Sequence, residues 1–330
     1  MSDNEKKSSK LEARTGNVRD NISPSARKKR DFTDVFFRNL FLIAGIVAAI
    51  MIVIIFLFVG GKGIAPFLPG YGEGKQSIVN FLSGLTWRPD RNPPVYGVLF
   101  VIINTLVTAF LAALVSFPVS VLSALFIVKV SPKKLRPVFT TIVELLAAIP
   151  SVVYGVFAAA NITTLVDNLA GIFGQTTHGG LSMLSVALLL AIMIYPTITS
   201  ISINAISAVD KNLELGSLAL GASQTQTNFK VVLSAAKSGI FAGLILGLGR
   251  AFGEATAVSM VAGNAMTGPS WNPFDMTRTL TSTMLSGLHE TTGVDYDIRF
   301  SVGIVLMIIV LLTNISIQLV KKNIGGVGRE

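Results

Sequence analysis

The stretch GLGRAFGEATA, residues 247–257, decides how the chain is read. It lies within an apolar run, 238–262, that otherwise has the composition of a membrane helix, yet it carries Arg250 and Glu254. A charge in mid-span costs at least about 2.5 to 3.5 kcal/mol even on lenient scales, so such residues face a bundle interior or a wet cavity. On an unbroken helix residues four apart share a face, which predicts that Arg250 and Glu254 point the same way. Gly239, Gly243 and Gly247 lead into them on that face, and small residues at this spacing let a helix or a ligand approach the backbone closely. Two readings follow. The pair is either a bridge that locks two helices or a polar station on a solute path. In the second, the planar guanidinium suits a tetrahedral oxyanion, and Glu254 competes for it, which leaves a site weak enough to release its occupant.

The rest of the chain supports a membrane setting. It has 330 residues, 51% hydrophobic and 14% charged, with a mean hydropathy of +0.65. That is too apolar for an ordinary soluble domain. Six runs reach the roughly 20 residues a bilayer span needs: 39–59, 98–128 (interrupted by Pro118), 137–160, 181–203, 238–262 and 301–320. None alternates as a barrel strand would. Most Lys and Arg lie before residue 39, in 129–136, in 204–237 and after 320, which puts both termini on the cytoplasmic side by the positive-inside rule. The net charge of +9 is spread over these segments, so no nucleic-acid surface is expected. The chain has no cysteine, which excludes disulfides and thiol chemistry.

These runs divide the chain as follows. Residues 1–31 read as a disordered basic cytoplasmic tail, 32–60 as the first transmembrane helix and 61–97 as an extracytoplasmic loop whose Trp87 and Tyr96 suit the membrane interface. Residues 98–322 form a core of five transmembrane helices with a cytoplasmic loop at 204–237, and 323–330 a cytoplasmic tail. The outer segment DMTRTLTSTMLSGLHE, residues 275–290, reads as a short helix lying against the outer surface. His289, Glu290, Asp295 and Asp297 are close in sequence but read as solvated loop residues, with no metal site.

Within 204–239, Leu213, Leu215, Leu218 and Leu220 precede Gly221, the pattern of a short helix with an apolar face ended by a glycine. Such a helix lies on the membrane surface or docks into a partner. Glu144, six residues before Pro150 in ELLAAIPSVVYG, is a second costly charge. It either lines the cavity of Arg250 or snorkels to water. There is no catalytic constellation, and no G-x4-G-K-[ST] loop for ATP, so the chain carries no nucleotide cofactor of its own and is not expected to be an enzyme.

The residues LELGSLALGASQTQTNFKVVLSAAKSGI, with LILGLGRAFGEATAVSMVAGN, ELLAAIPSVVYG and RTLTSTM, resemble the membrane subunits of bacterial ABC importers, and among them the phosphate-specific permeases. The resemblance covers about residues 35–322. It implies an all-α permease fold of the type I importers in the bacterial plasma membrane. It also implies a coupling helix over Leu213, Glu214, Leu215, Gly216, Ser217, Leu218, Ala219, Leu220 and Gly221 that seats in a groove of the ATPase subunit. Gly221 matches the glycine of the family's loop; Leu215 stands at its glutamate position and Ser234 where proline is common. Arg250 and Glu254 fall on charged positions associated with phosphate translocation, while Ala255 replaces a frequent threonine. The implied partners are a sister permease, an ATPase dimer that binds the ATP, and an extracytoplasmic phosphate-binding protein. Rival expectations are a permease for sulfate or molybdate, a gradient-driven secondary carrier and a membrane regulator that transports nothing.

Overall fold

The computed structural model describes residues 24–71 and 74–325, with side chains for 34–71 and 74–319. Helix α1 (Pro24–Ile64) opens on a proline, which the first helical turn tolerates, and on the helix formers Ala, Arg and Lys. It therefore begins inside the segment expected to be a disordered tail; residues 1–23 and 326–330 lie outside the described residues. The chain divides into two units, 1–58 and 59–330. In the first, every described side chain from 34 to 58 is exposed, Phe, Ile, Leu and Val included. An all-round apolar helix of this kind is stable only in lipid or against other protein.

The second unit opens with α2 (Ile78–Ser83) and a two-stranded antiparallel ribbon, β1 (Trp87–Arg88) and β2 (Val95–Tyr96), with Trp87 opposite Tyr96. These two rings do not sit at an interface. They pack edge-on at 5.3 Å and are 2% and 4% exposed, inside a cluster with Phe81, Phe100, Leu280 and Ile298. The cross-strand pairing points both toward the protein.

Helix α3 (Leu99–Leu125) ends in a π-helical turn, Phe126–Val130. Then come α4 (Arg136–Ala148) and α5 (Ser151–Phe157), which passes through a π turn into α6 (Thr163–Ile172). They are followed by α7 (Met183–Ser207), α8 (Lys211–Ala219), the short α9 (Gln224–Gln226) and α10 (Leu233–Gly253), the last two joined by the π segment Thr227–Val232. Helices α11 (Thr256–Val261), α12 (Leu280–Leu285) and α13 (Val294–Gly325) complete the order.

Among the described residues six helices are long and apolar enough to span: Asp34–Phe67, Leu99–Val130, Ser151–Ile172, Met183–Ser207, Gln224–Gly253 and Val294–Leu319. The third is displaced from the expected 137–160. Pro150 pushes the residue before it into extended backbone, and Ile149 accordingly has ψ 128°, so α4 stops. The helix that restarts at Ser151 carries on through Asn161, Thr163 and Thr164, whose side chains donate back to the carbonyls of Phe157, Ala159 and Ala160 at 2.7–3.0 Å. Those internal bonds let a polar segment stay helical in an apolar setting.

Helix α7 is the hub: 67% of its most apolar stretch is buried, and α3 and α10 pack along it. The glycine stripe of α10 explains the closeness. A Cβ at Gly239 would fall 2.5 Å from Ala205 Cβ, and one at Gly247 2.7 Å from Ile198 Cγ1, both on α7. Nothing lies within 4 Å of one at Gly249. Overpacking costs about 1 to 3 kcal/mol, so Gly247→Leu should lower the thermal midpoint of the detergent-purified chain, whereas Gly249→Leu should leave it near wild type.

Candidate functional site

Arg250 lies in the last turn of α10. Its Nη1 donates to Thr197 Oγ1 at 3.2 Å, on α7 directly after Pro196. Tyr154 of α5 stands close enough to feel its charge, and the Tyr154 hydroxyl donates to Leu146 O at 2.8 Å across the break at Pro150. Among the described residues no carboxylate lies within 4.0 Å of Arg250. A cation near a helix C-terminus gains about 0.3 to 1 kcal/mol from the dipole. That is well below the cost of a mid-span charge, so the dipole alone does not account for Arg250.

The expected pairing with Glu254 is not formed, because the helix on which it depended ends. Helix α10 stops at Gly253, and Glu254 is extended at φ −77°, ψ 115°. Its carboxylate Oε1 instead accepts the backbone N–H of Ala257, at 3.0 Å, in the first turn of α11. Its carbonyl accepts the Thr281 hydroxyl at 2.7 Å. A helix broken inside the apolar region frees N–H and C=O groups that lipid cannot satisfy. Glu254 caps one side of that break and Thr281 the other, and the carboxylate does not neutralise Arg250.

Thr281 belongs to the segment expected on the outer surface. It is buried instead: Leu280, Ser282 and Thr283 are inaccessible, and Leu280 N donates to Thr105 Oγ1 of α3 at 3.0 Å. Arg278, 5% exposed, anchors the entry to α12 by donating to Asn264 O and Ala265 O, each at 2.7 Å. Burial, and then the neighbouring Arg299 charge, push its guanidinium down to about 10, so it stays protonated at neutral pH. Sequence reasoning missed Thr197, Arg278 and Thr281; the signal for the last two was the density of hydroxyls in TRTLTST, unusual for a surface helix. Nearby, Tyr71 donates to Asp297 at 2.8 Å, and burial with that bond raises its phenol to about 12.

Glu144 is on α4 with an exposed side chain, and it makes no hydrogen bond or ion pair with any described residue. The structure thus does not bring it onto Arg250. A cavity of about 640 Å³ is elsewhere too, between α3, α10 and α13. Its walls, among them Phe110, Leu114, Phe117 and Phe252, are apolar and unsuited to an oxyanion. Among the described residues no three His, Asp or Glu side chains gather into a metal site.

At the other end of the bundle, α8 forms as the leucine pattern indicates. Asp210 caps it, accepting Asn212 N–H at 2.9 Å. Gly221, at φ +85°, closes it with paired bonds from Gly221 N to Leu218 O and Ala222 N to Ser217 O, a left-handed turn that glycine adopts without strain. No residue of α8 is buried. Leu213, Leu215, Gly216, Leu218, Ala219 and Leu220 are exposed, Leu220 at 91%. Glu214 and Ser217 turn inward, Glu214 pairing with Lys129 of the π turn after α3 and Ser217 with Thr227 Oγ1 at 2.9 Å.

Residues 116–325 match the model of a family described as the inner-membrane component of binding-protein-dependent transport systems. The chain is 36% identical over 303 residues to the probable ABC transporter permease protein YqgH of Bacillus subtilis, covering 90% of this chain and 95% of that one. It is 31% identical over 250 residues to the phosphate transport system permease protein PstC of Pasteurella multocida, covering 71% and 78%. Its fold is similar to a chain of a bacterial alginate ABC transporter solved with an alginate-pentasaccharide-bound periplasmic protein, with a TM-score of 0.59, 18% identity and coverage of 88% and 97%. The all-α architecture of a type I importer permease is therefore the fold of this chain.

Proposed function

The chain belongs to the family of inner-membrane components of binding-protein-dependent transport systems, and we propose that within such an importer it is the subunit that translocates inorganic phosphate. The observation that carries this reading is Arg250, a guanidinium in a spanning helix whose hydrogen-bond partner among the described residues is a neutral hydroxyl and not a carboxylate. A fork-shaped donor held open in this way is complementary to a tetrahedral oxyanion. Relatives named for phosphate transport support phosphate as that anion.

In this reading both termini are cytoplasmic, and an extracytoplasmic phosphate-binding protein delivers the anion to the outer loops. A sister permease completes the path, and an ATPase dimer, which binds the ATP, seats the exposed leucines of α8. ATP-driven closure of that dimer moves α8 and rocks the spans, presenting Arg250 alternately to the two sides. Glu144, exposed in the single chain, is assigned to the wall of the path toward the sister subunit.

The test is labelled-phosphate uptake by phosphate-starved cells with and without the chain, no other phosphate importer being present. Uptake should require the chain and collapse on ATP depletion with the ion gradients clamped. Uptake that persists under that clamp would favour a gradient-driven carrier, and uptake of sulfate or molybdate in its place would reassign the anion.

A further inference from the structure

Lys129 and Glu214 form an ion pair whose side chains are only 14% and 13% exposed. Shelter of this degree removes most of the screening that makes surface pairs weak. The pair joins two elements that are distant in sequence. Glu214 is on α8, whose exposed leucines are its outward face, and Lys129 is on the π turn that ends α3. An extra residue per turn in a π segment changes the direction in which its side chains leave the helix. Glu214 stands one residue before the position where the family resemblance places a glutamate. On a helix that offset rotates the carboxylate by roughly 100°, and here it faces the chain's own body.

We propose that this pair is a latch that makes α8 and α3 move together, so that Lys129 and Glu214 are positioning residues for coupling; the proposal rests on α8 being the partner-docking helix. A displacement of α8 has two routes into the bundle. One follows the chain itself, stiffened by the Ser217–Thr227 hydrogen bond, through the segment that becomes α10, the helix that carries Arg250. The other is the latch. From Lys129 the continuous helix runs back about 36 Å to Thr105, whose hydroxyl holds Leu280 N; the adjacent Thr281 holds the carbonyl of Glu254 at the break beyond Arg250. The two routes thus arrive on either side of Arg250, and without the latch only α10 is driven.

The chain has no cysteine, so Asn212→Cys on α8 and Leu122→Cys on α3 can carry a pair of spin labels in the purified complex with its partner subunits. Lys129→Glu and Glu214→Lys should each broaden the distance distribution between the labels, and should cut the anion imported per ATP hydrolysed by about tenfold. The combined exchange, Lys129→Glu with Glu214→Lys, should restore both. Glu214→Gln, the milder change, should broaden the distribution as well. An unchanged distribution in the single variants, or an exchange that restores neither readout at normal complex yield, would overturn the latch. If the wild-type complex couples ATP to sulfate but not phosphate, and the variants still behave as described, the latch stands and the phosphate assignment falls.

Discussion

Replacing Arg250 with Gln should lower phosphate uptake roughly 30- to 150-fold at matched membrane levels, the equivalent of the 2 to 3 kcal/mol carried by a strong hydrogen bond to a charged group. The reason is local. Arg250 donates to Thr197 and has no carboxylate partner among the described residues, so its charge is not consumed inside the chain. If it served only to lock helices, Gln could keep the bond to Thr197 and uptake would fall little. Lys keeps the charge but loses the planar fork, so Arg250→Lys should lie between wild type and Arg250→Gln. Uptake by the Lys variant equal to that of the Gln variant would show that geometry, and not charge, sets the site.

The Glu254 variants should separate just as clearly, and in an order that an ion-pair reading does not give. Glu254 accepts the Ala257 N–H at a helix break, so a side-chain amide oxygen can replace it, whereas a methyl group cannot. Loss of a cap costs about 0.5 to 2 kcal/mol, and an N–H left without a partner in an apolar region costs about 1 to 3 kcal/mol. Glu254→Gln should therefore keep most uptake, while Glu254→Ala should lose about tenfold, on the lower half of that range. The check is initial-rate uptake of both variants with their thermal midpoints in detergent. If Gln were as damaging as Ala, the negative charge itself would be required, and the carboxylate would have a role beyond capping.

What could be read from the sequence, and what could not, follows from how local each determinant is. Arg250 stands out because a charge in an apolar run is expensive wherever the helix points. The leucines of α8 and its closing Gly221 are equally local, and the helix forms where they place it. The glycine stripe likewise foretells close packing, although only the structure shows that α7 fills it. The pairing of Arg250 with Glu254 failed because helical periodicity was carried across a break. Gly253 was the sole local warning, and the break is stabilised by Thr281, far along the chain. The third span moved because the apolar run 137–160 was carried across Pro150, which separates two helices. Trp87, Tyr96 and the hydroxyl-rich segment around α12 were placed outside by composition, yet they are buried through partners in α2, α3 and α13 that no local pattern encodes.

The most direct test of the central claim is labelled-phosphate import by proteoliposomes that contain the complete complex and the phosphate-binding protein, with ATP on the side of the ATPase. Accumulation should require ATP and should survive a large excess of sulfate or molybdate. Accumulation that proceeds without ATP, or that either anion abolishes, would contradict the account.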